Sequence, residues 1–120
     1  MTVYHLQLSL PISDNNKYSA GLHKDGRPVL YNTQAYKSML SIIEAEAQAQ
    51  GFRRKDNVEY IVKMDVYLAN SQADVQNTFK CLFDAVFGPR GDGRIAAGHW
   101  KRFIDAKAPR VEMEIMEMDV

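Results

Sequence analysis

The run VEYIVKMDVYL at residues 58–68 constrains this chain most. Side chains on a strand alternate between two faces. Val58, Tyr60, Val62, Met64, Val66 and Leu68 therefore share one apolar face, while Glu59, Lys63 and Asp65 share the other with Ile61 and Tyr67. A sheet with one apolar face must bury it against another layer. Two segments supply that layer. In the first, from Asn32 or Thr33 to Gln50, Tyr36, Met39, Leu40, Ile43 and Ala47 recur at helical spacing, and Gly51 follows as a natural stop. In the second, about 74–87, Val75, Phe79, Leu82, Phe83 and Val86 form an apolar stripe, and Gly88-Pro89 ends it. Gln76, Asn77, Lys80 and Asp84 share its polar side, and Asp74 stands at its mouth as a favoured N-cap.

The other elements read more weakly. VYHLQLS at 3–9 alternates like a strand and Pro11 closes it. Residues 11–27 are polar and rich in turn formers, and PVLY after KDG suits a short strand. Strands are expected at about 98–104 and 110–118, joined by the turn DAKAP. The fold class is a small single α+β domain over residues 1–120, ordered β-α-β-α-β-β, with one mixed sheet and two helices.

Composition narrows the function. With 120 residues the chain is expected to bury one core unaided. Fifteen basic and fifteen acidic residues balance, so no overall charge announces nucleic acid, yet a local basic patch suffices to bind phosphates. No apolar run approaches the roughly 18–20 residues a membrane span needs. The opening MTVYHLQLSLPIS lacks a basic leader region, so no signal peptide is expected. The single cysteine, Cys81, reads as an inert core thiol, and a reducing cytoplasm is the expected home. The three histidines show no ligand spacing, and no Walker loop or nucleophile motif is present.

What remains is acids beside bases. Asp74 precedes the second helix and Asp92 lies in GPRGDGRIAAG after it. For both to meet one hard cation, the loop must run back along the helix. Arg90, Arg94, Lys101 and Arg102 gather in the same region, with His99 and Trp100 between. Cations that neutralise phosphates beside acids that hold a metal suit a phosphodiester substrate. Arg53-Arg54-Lys55 reads as a solvated turn, and Glu112 and Glu114 as a solvated strand face.

These residues resemble a known family. ADVQNTFKCLFDAVF is similar to the D-x-D-N-x-x-K-x-x-x-D-A-L helix of RusA-type Holliday junction resolvases, small endonucleases of phage and prophage. YHLQLSLPISDNNKY resembles their first strand and S-N-N-R-Y segment, TQAYKSML their G-Q-A-Y-R helix start, and RVEMEIMEM their R-L-E-L-T-I-T-E-M strand. The resemblance implies a homodimer that binds four-way DNA junctions and makes paired symmetric nicks with Mg²⁺ or Mn²⁺, in DNA recombination and repair in a bacterial or phage setting. By residue it implies Asp74 and Asp92 as metal ligands, Lys80 as catalytic support, and Asn77 with Asn15, Asn16 and Lys17 in DNA binding. Gln76 stands where the family has a second acid, Gly91 where its loop has a first aspartate, and Arg94 where it has a glutamine. Gln76 offers an oxygen without charge. Either the site works with fewer acids, or Asp65 or Asp84 substitutes, or the chain binds junctions without cutting. An unrelated protein-interaction module is a further alternative.

Overall fold

A computed structural model describes residues 2–11, 18–22, 28–71, 75–88 and 91–119; at 18–22, 28–32, 77, 91, 92 and 119 the description is of the backbone. The strands are β1 (Val3–Ser9), β2 (Tyr18–Leu22), β3 (Pro28–Asn32), β4 (Val58–Leu68), β5 (Ile95–Ile104) and β6 (Arg110–Asp119); the helices are α1 (Gln34–Ala49) and α2 (Phe79–Phe87). A mixed four-stranded sheet has the order β1-β6-β4-β5, with β4 and β5 parallel and the other pairs antiparallel. The α+β expectation therefore holds, with one addition. β2 and β3 form a separate antiparallel pair. β2 falls in the stretch that reads as turn: Tyr18, Ala20 and Leu22 do alternate with Ser19 and Gly21, but so short a run among turn-forming residues is a weak strand signal.

Alternation in β4 is realised as expected. Tyr60, Val62, Met64, Val66 and Leu68 are buried, and with Leu6 and Leu8 of β1 and Val111, Met113 and Ile115 of β6 they form the sheet's side of the core. Ile43 and Ala47 of α1 and Leu82, Ala85 and Val86 of α2 complete it. Cys81 is buried, as expected. Phe52, just beyond α1, packs edge-on to Tyr4, Tyr60 and Phe87 at centroid distances of 5.0, 5.8 and 5.7 Å. No helix among the described residues is long and apolar enough to cross a membrane.

Element ends follow local chemistry. The Thr33 hydroxyl accepts from the Tyr36 N–H at 3.1 Å, capping α1, and Gly51 takes φ +94° just past its end. The second helix differs from expectation. Val75–Thr78 is a 3₁₀ turn and the α-helix starts only at Phe79, with Thr78 in the capping position. The Thr78 hydroxyl donates to the Val75 carbonyl at 2.7 Å and closes that tighter turn. Asp74, the expected cap, lies outside the described residues. At the other end Gly88 has φ +84°, and a Cβ there would collide with the Arg54 guanidinium, which donates to the Phe87 carbonyl at 2.8 Å. Arg54 therefore caps α2 rather than standing in a solvated turn.

The outer edge of β1 is covered by side chains of α1. Gln50 accepts from the Gln7 N–H and donates to the Gln7 carbonyl, both at 2.8 Å, as a neighbouring strand would. Glu46 accepts from the Ser9 N–H at 2.9 Å and the Ser9 hydroxyl at 2.7 Å. Glu46→Ala removes both charge-assisted bonds, and urea unfolding should show a loss of about 1–2 kcal/mol.

Candidate nuclease site on the second helix

Lys80 is the expected catalytic residue whose side chain is described. It lies on the first turn of α2 with its side chain 45% exposed, and its Nζ sits 3.1 Å from Asp84 Oδ1, one turn along. The Tyr36 hydroxyl, from α1, donates to Asp84 Oδ2 at 2.8 Å. Tyr36 is almost fully buried. Asp84 is therefore held between the two helices and in turn orients the lysine. Sequence reasoning assigns Asp84 to the polar side of the helix and Tyr36 to the core; their meeting spans 48 positions and has no local signal. Tyr36→Phe leaves Asp84 Oδ2 without that donor, and thermal or urea melts should report a loss of about 1–3 kcal/mol.

Asp84 is thus engaged with Lys80 and Tyr36, and the other stand-in acid, Asp65, is elsewhere. Met64 and Val66 on either side of Asp65 are buried beneath the helices, so Asp65 points from the opposite face of the sheet. The register of β5 against β4 sorts the basic residues in the same way. Lys101 aligns with Asp65 on the open face, and Arg102 aligns with Val66 on the helix face. Two side chains fix this assignment. Trp100 packs edge-on to Phe79 of α2 at 5.8 Å, and Phe103 stacks on Tyr67 at 5.0 Å on the open face. Arg102 donates to the Ser71 carbonyl, three residues before Asp74. Just beyond β5, a hydrogen bond from Arg110 holds the Asp105 carboxyl below the usual carboxylate range.

The Asp92 turn, Gly91–Arg94, lies at the other end of α2. Arg94 donates to the Lys55 carbonyl at 3.4 Å and sits 3.6 Å from Asp56, beside the Arg54 that caps Phe87. Ile95 then pairs with Tyr60 near the start of β4, whereas Ile104 pairs with Leu68 at its end. The return along the helix that a shared cation would require is not made by Gly91–Arg94. The Asp92 turn feeds straight into β5, and the Val75 turn enters α2 from the opposite end. The α-helix alone is about 13 Å long. Asp74, Arg90, Asn15, Asn16 and Lys17 lie outside the described residues, as do the side chains of Asn77 and Asp92.

The donor types fit the implied metal. Asp74, Asp92 and Gln76 offer hard oxygens of the kind Mg²⁺ or Mn²⁺ takes. Among the described residues no group of three or more His, Cys, Asp or Glu side chains is placed to hold a metal ion. Gln76 is exposed on its 3₁₀ turn. No family model matches the chain, and no curated protein matches it in sequence.

Proposed function

We propose that this chain is a metal-dependent endonuclease of branched DNA that nicks four-way junctions. The observation that carries this reading is the bond from Arg102 to the Ser71 carbonyl, which ties the basic strand β5 to the link that leads into Asp74. It supports the sequence resemblance by tying phosphate-binding charge, across 31 positions, to Ser71, three residues ahead of a candidate acid in the sequence. In this reading Asp74 and Gln76, at the mouth of α2, would hold the cation; the turn that carries Asp92 lies at the other end of that helix. When bound, the cation supplies Lewis-acid polarisation of the phosphate and a more acidic water. Lys80, oriented by Asp84, offsets the negative charge that builds on the phosphate oxygens. Arg102, on the helix face, neutralises a backbone phosphate near the mouth of α2, and Lys101 on the open face and Arg94 at the other end of the helix would meet phosphates farther along the DNA, with Arg90, Asn15, Asn16, Lys17 and Asn77 as further contacts.

The test is incubation with a synthetic four-way junction and Mg²⁺ or Mn²⁺. Paired symmetric nicks, with junction binding that weakens steeply as salt rises, are the expected result. Absence of nicking with either metal, at protein levels that saturate the junction, would overturn the enzymatic reading. One specific feature favours a second reading. Gln76 carries no charge where the resembled family has an acid, which suits a chain that binds junctions and cuts them poorly.

A further inference from the structure

The open face of the sheet carries a row of flat groups that runs across three strands. Register sets Arg110 of β6 opposite Tyr67 of β4, and Tyr67 opposite Phe103 of β5. The Arg110 guanidinium carbon lies 3.9 Å from the centroid of the Tyr67 ring. The Tyr67 and Phe103 rings are stacked, with centroids 5.0 Å apart and planes 18° from parallel. Because β6 and β5 flank β4, Tyr67 is held between a guanidinium and a ring. The far end of the row is anchored. Arg110 sits 2.9 Å from Asp105, whose carboxylate also accepts from the Lys107 and Ala108 N–H groups, both at 3.2 Å.

At β5 the row ends without a cover. β5 is an outer strand of the sheet, and among the described residues no strand pairs on its far side. Phe103 is 39% exposed, and with its inner ring face on Tyr67 its outer face is turned away from the sheet. Cross-strand stacking supports the sheet, which accounts for the inner face and leaves the outer one unused. A further flat group can extend the row by one step, as bases do on aromatic platforms. The charge along β5 selects which flat group. Its sequence, IAAGHWKRFI, contains no acid. Lys101 stands on the open face one alternation before Phe103, about 6.7 Å along the strand, with His99 a further step away. The acids of this face lie inward: Asp65 of β4 aligns with Lys101, Glu112 of β6 lies beyond it, and Asp105 is engaged by Arg110. A neutral ring joined to an anion matches this edge. An acidic peptide would use the lysine and leave the ring face empty.

We propose that the outer face of Phe103 is a stacking site for an unpaired base of single-stranded DNA, with Lys101 taking the adjoining phosphate. The Arg110–Tyr67 pair behind Phe103 keeps the ring upright, so little ordering is left for binding. Every base has a flat face, so the site discriminates little between sequences. It lies on the opposite side of the sheet from α2 and Lys80. It needs no metal and does not rest on the nuclease reading.

Fluorescence anisotropy of a labelled oligo-dT of about twelve nucleotides, titrated at low salt in EDTA, reads the site without metal-dependent cutting. The wild type is expected to bind. Phe103→Leu keeps an apolar side chain but loses the flat ring, and should bind about tenfold more weakly. Lys101→Ala should weaken binding and flatten its salt dependence. Ile42→Ala trims an exposed apolar residue of α1 and should leave affinity unchanged. A spectroscopic readout decides even where Phe103→Leu fails to fold. Trp100 is the single tryptophan, so Trp100→Phe combined with Phe103→Trp places the one indole at the site. Oligo-dT should then quench the indole emission by stacking, at close to wild-type affinity. A wild type that does not bind oligo-dT, a Phe103→Leu variant that binds as tightly as the wild type, or an unquenched indole at 103 overturns the proposal. Displacement of oligo-dT by poly-glutamate of the same length and concentration also overturns it, because the edge would then be an anion site without base stacking. A protein that binds oligo-dT through Phe103 and never nicks a junction keeps this site and loses the nuclease reading. One that nicks junctions with no effect of Phe103 on oligo-dT does the reverse.

Discussion

Junction nicking is expected to fall by about two to three orders of magnitude when Lys80 is replaced by methionine, with junction binding little changed. The size follows from where the charge sits. Removing a single positioned group that stabilises transition-state charge typically has an effect of this order, whereas removing one of several phosphate contacts weakens binding modestly. The fold should tolerate the change. Lys80 is half exposed, and its pairing with Asp84 is a surface-edge ion pair one helical turn apart, worth about 0.3–0.5 kcal/mol. Asp84→Asn is the informative companion. It keeps an acceptor for Tyr36 but releases the lysine, so nicking should fall only about tenfold if Asp84 acts by orienting Lys80. The rates are read on a junction labelled on each strand in turn, with binding measured in Ca²⁺. An unchanged nicking rate in Lys80→Met would remove Lys80 from the site.

Much of the scaffold was legible because it is written in local periodicity. The period-two face of β4 and the helical spacing of Tyr36, Ile43 and Ala47 each follow from one-sided burial, and each is buried as expected. The start of α2 was not legible. ADVQNTF carries an acid that suits a cap, but the hydroxyl of Thr78 donates to the Val75 carbonyl and four residues form a 3₁₀ turn. The surroundings of the candidate site depend on contacts far apart in sequence. Tyr36 with Asp84, Arg102 with Ser71, and Arg54 with Phe87 are long-range pairings that depend on how the helices dock on the sheet. No spacing rule reports them. The same holds for Gln50, which reads as the last residue of a helix and serves as the covering of a strand edge.

Restoring an acid with Gln76→Asp should raise nicking at limiting Mg²⁺ by about tenfold and lower the Mg²⁺ concentration needed for half-maximal activity by a similar factor. Glutamine leaves the candidate site one negative charge short of the resembled family, and hard cations respond chiefly to ligand charge. Residue 76 is exposed on the 3₁₀ turn, and an acid just ahead of α2 faces the positive end of its dipole, so stability should stay within about 0.5 kcal/mol. At saturating Mg²⁺ the gain should shrink, because the substitution acts on metal affinity rather than on the charge that Lys80 offsets. That dependence distinguishes a metal-starved site from a lost one. A variant that nicks where the wild type does not would make the natural chain a junction binder with a dormant site. If Gln76→Asp and Asp74→Asn both leave nicking unchanged at every metal concentration, the acids of this turn do not hold the cation and the assignment of the site to the mouth of α2 fails.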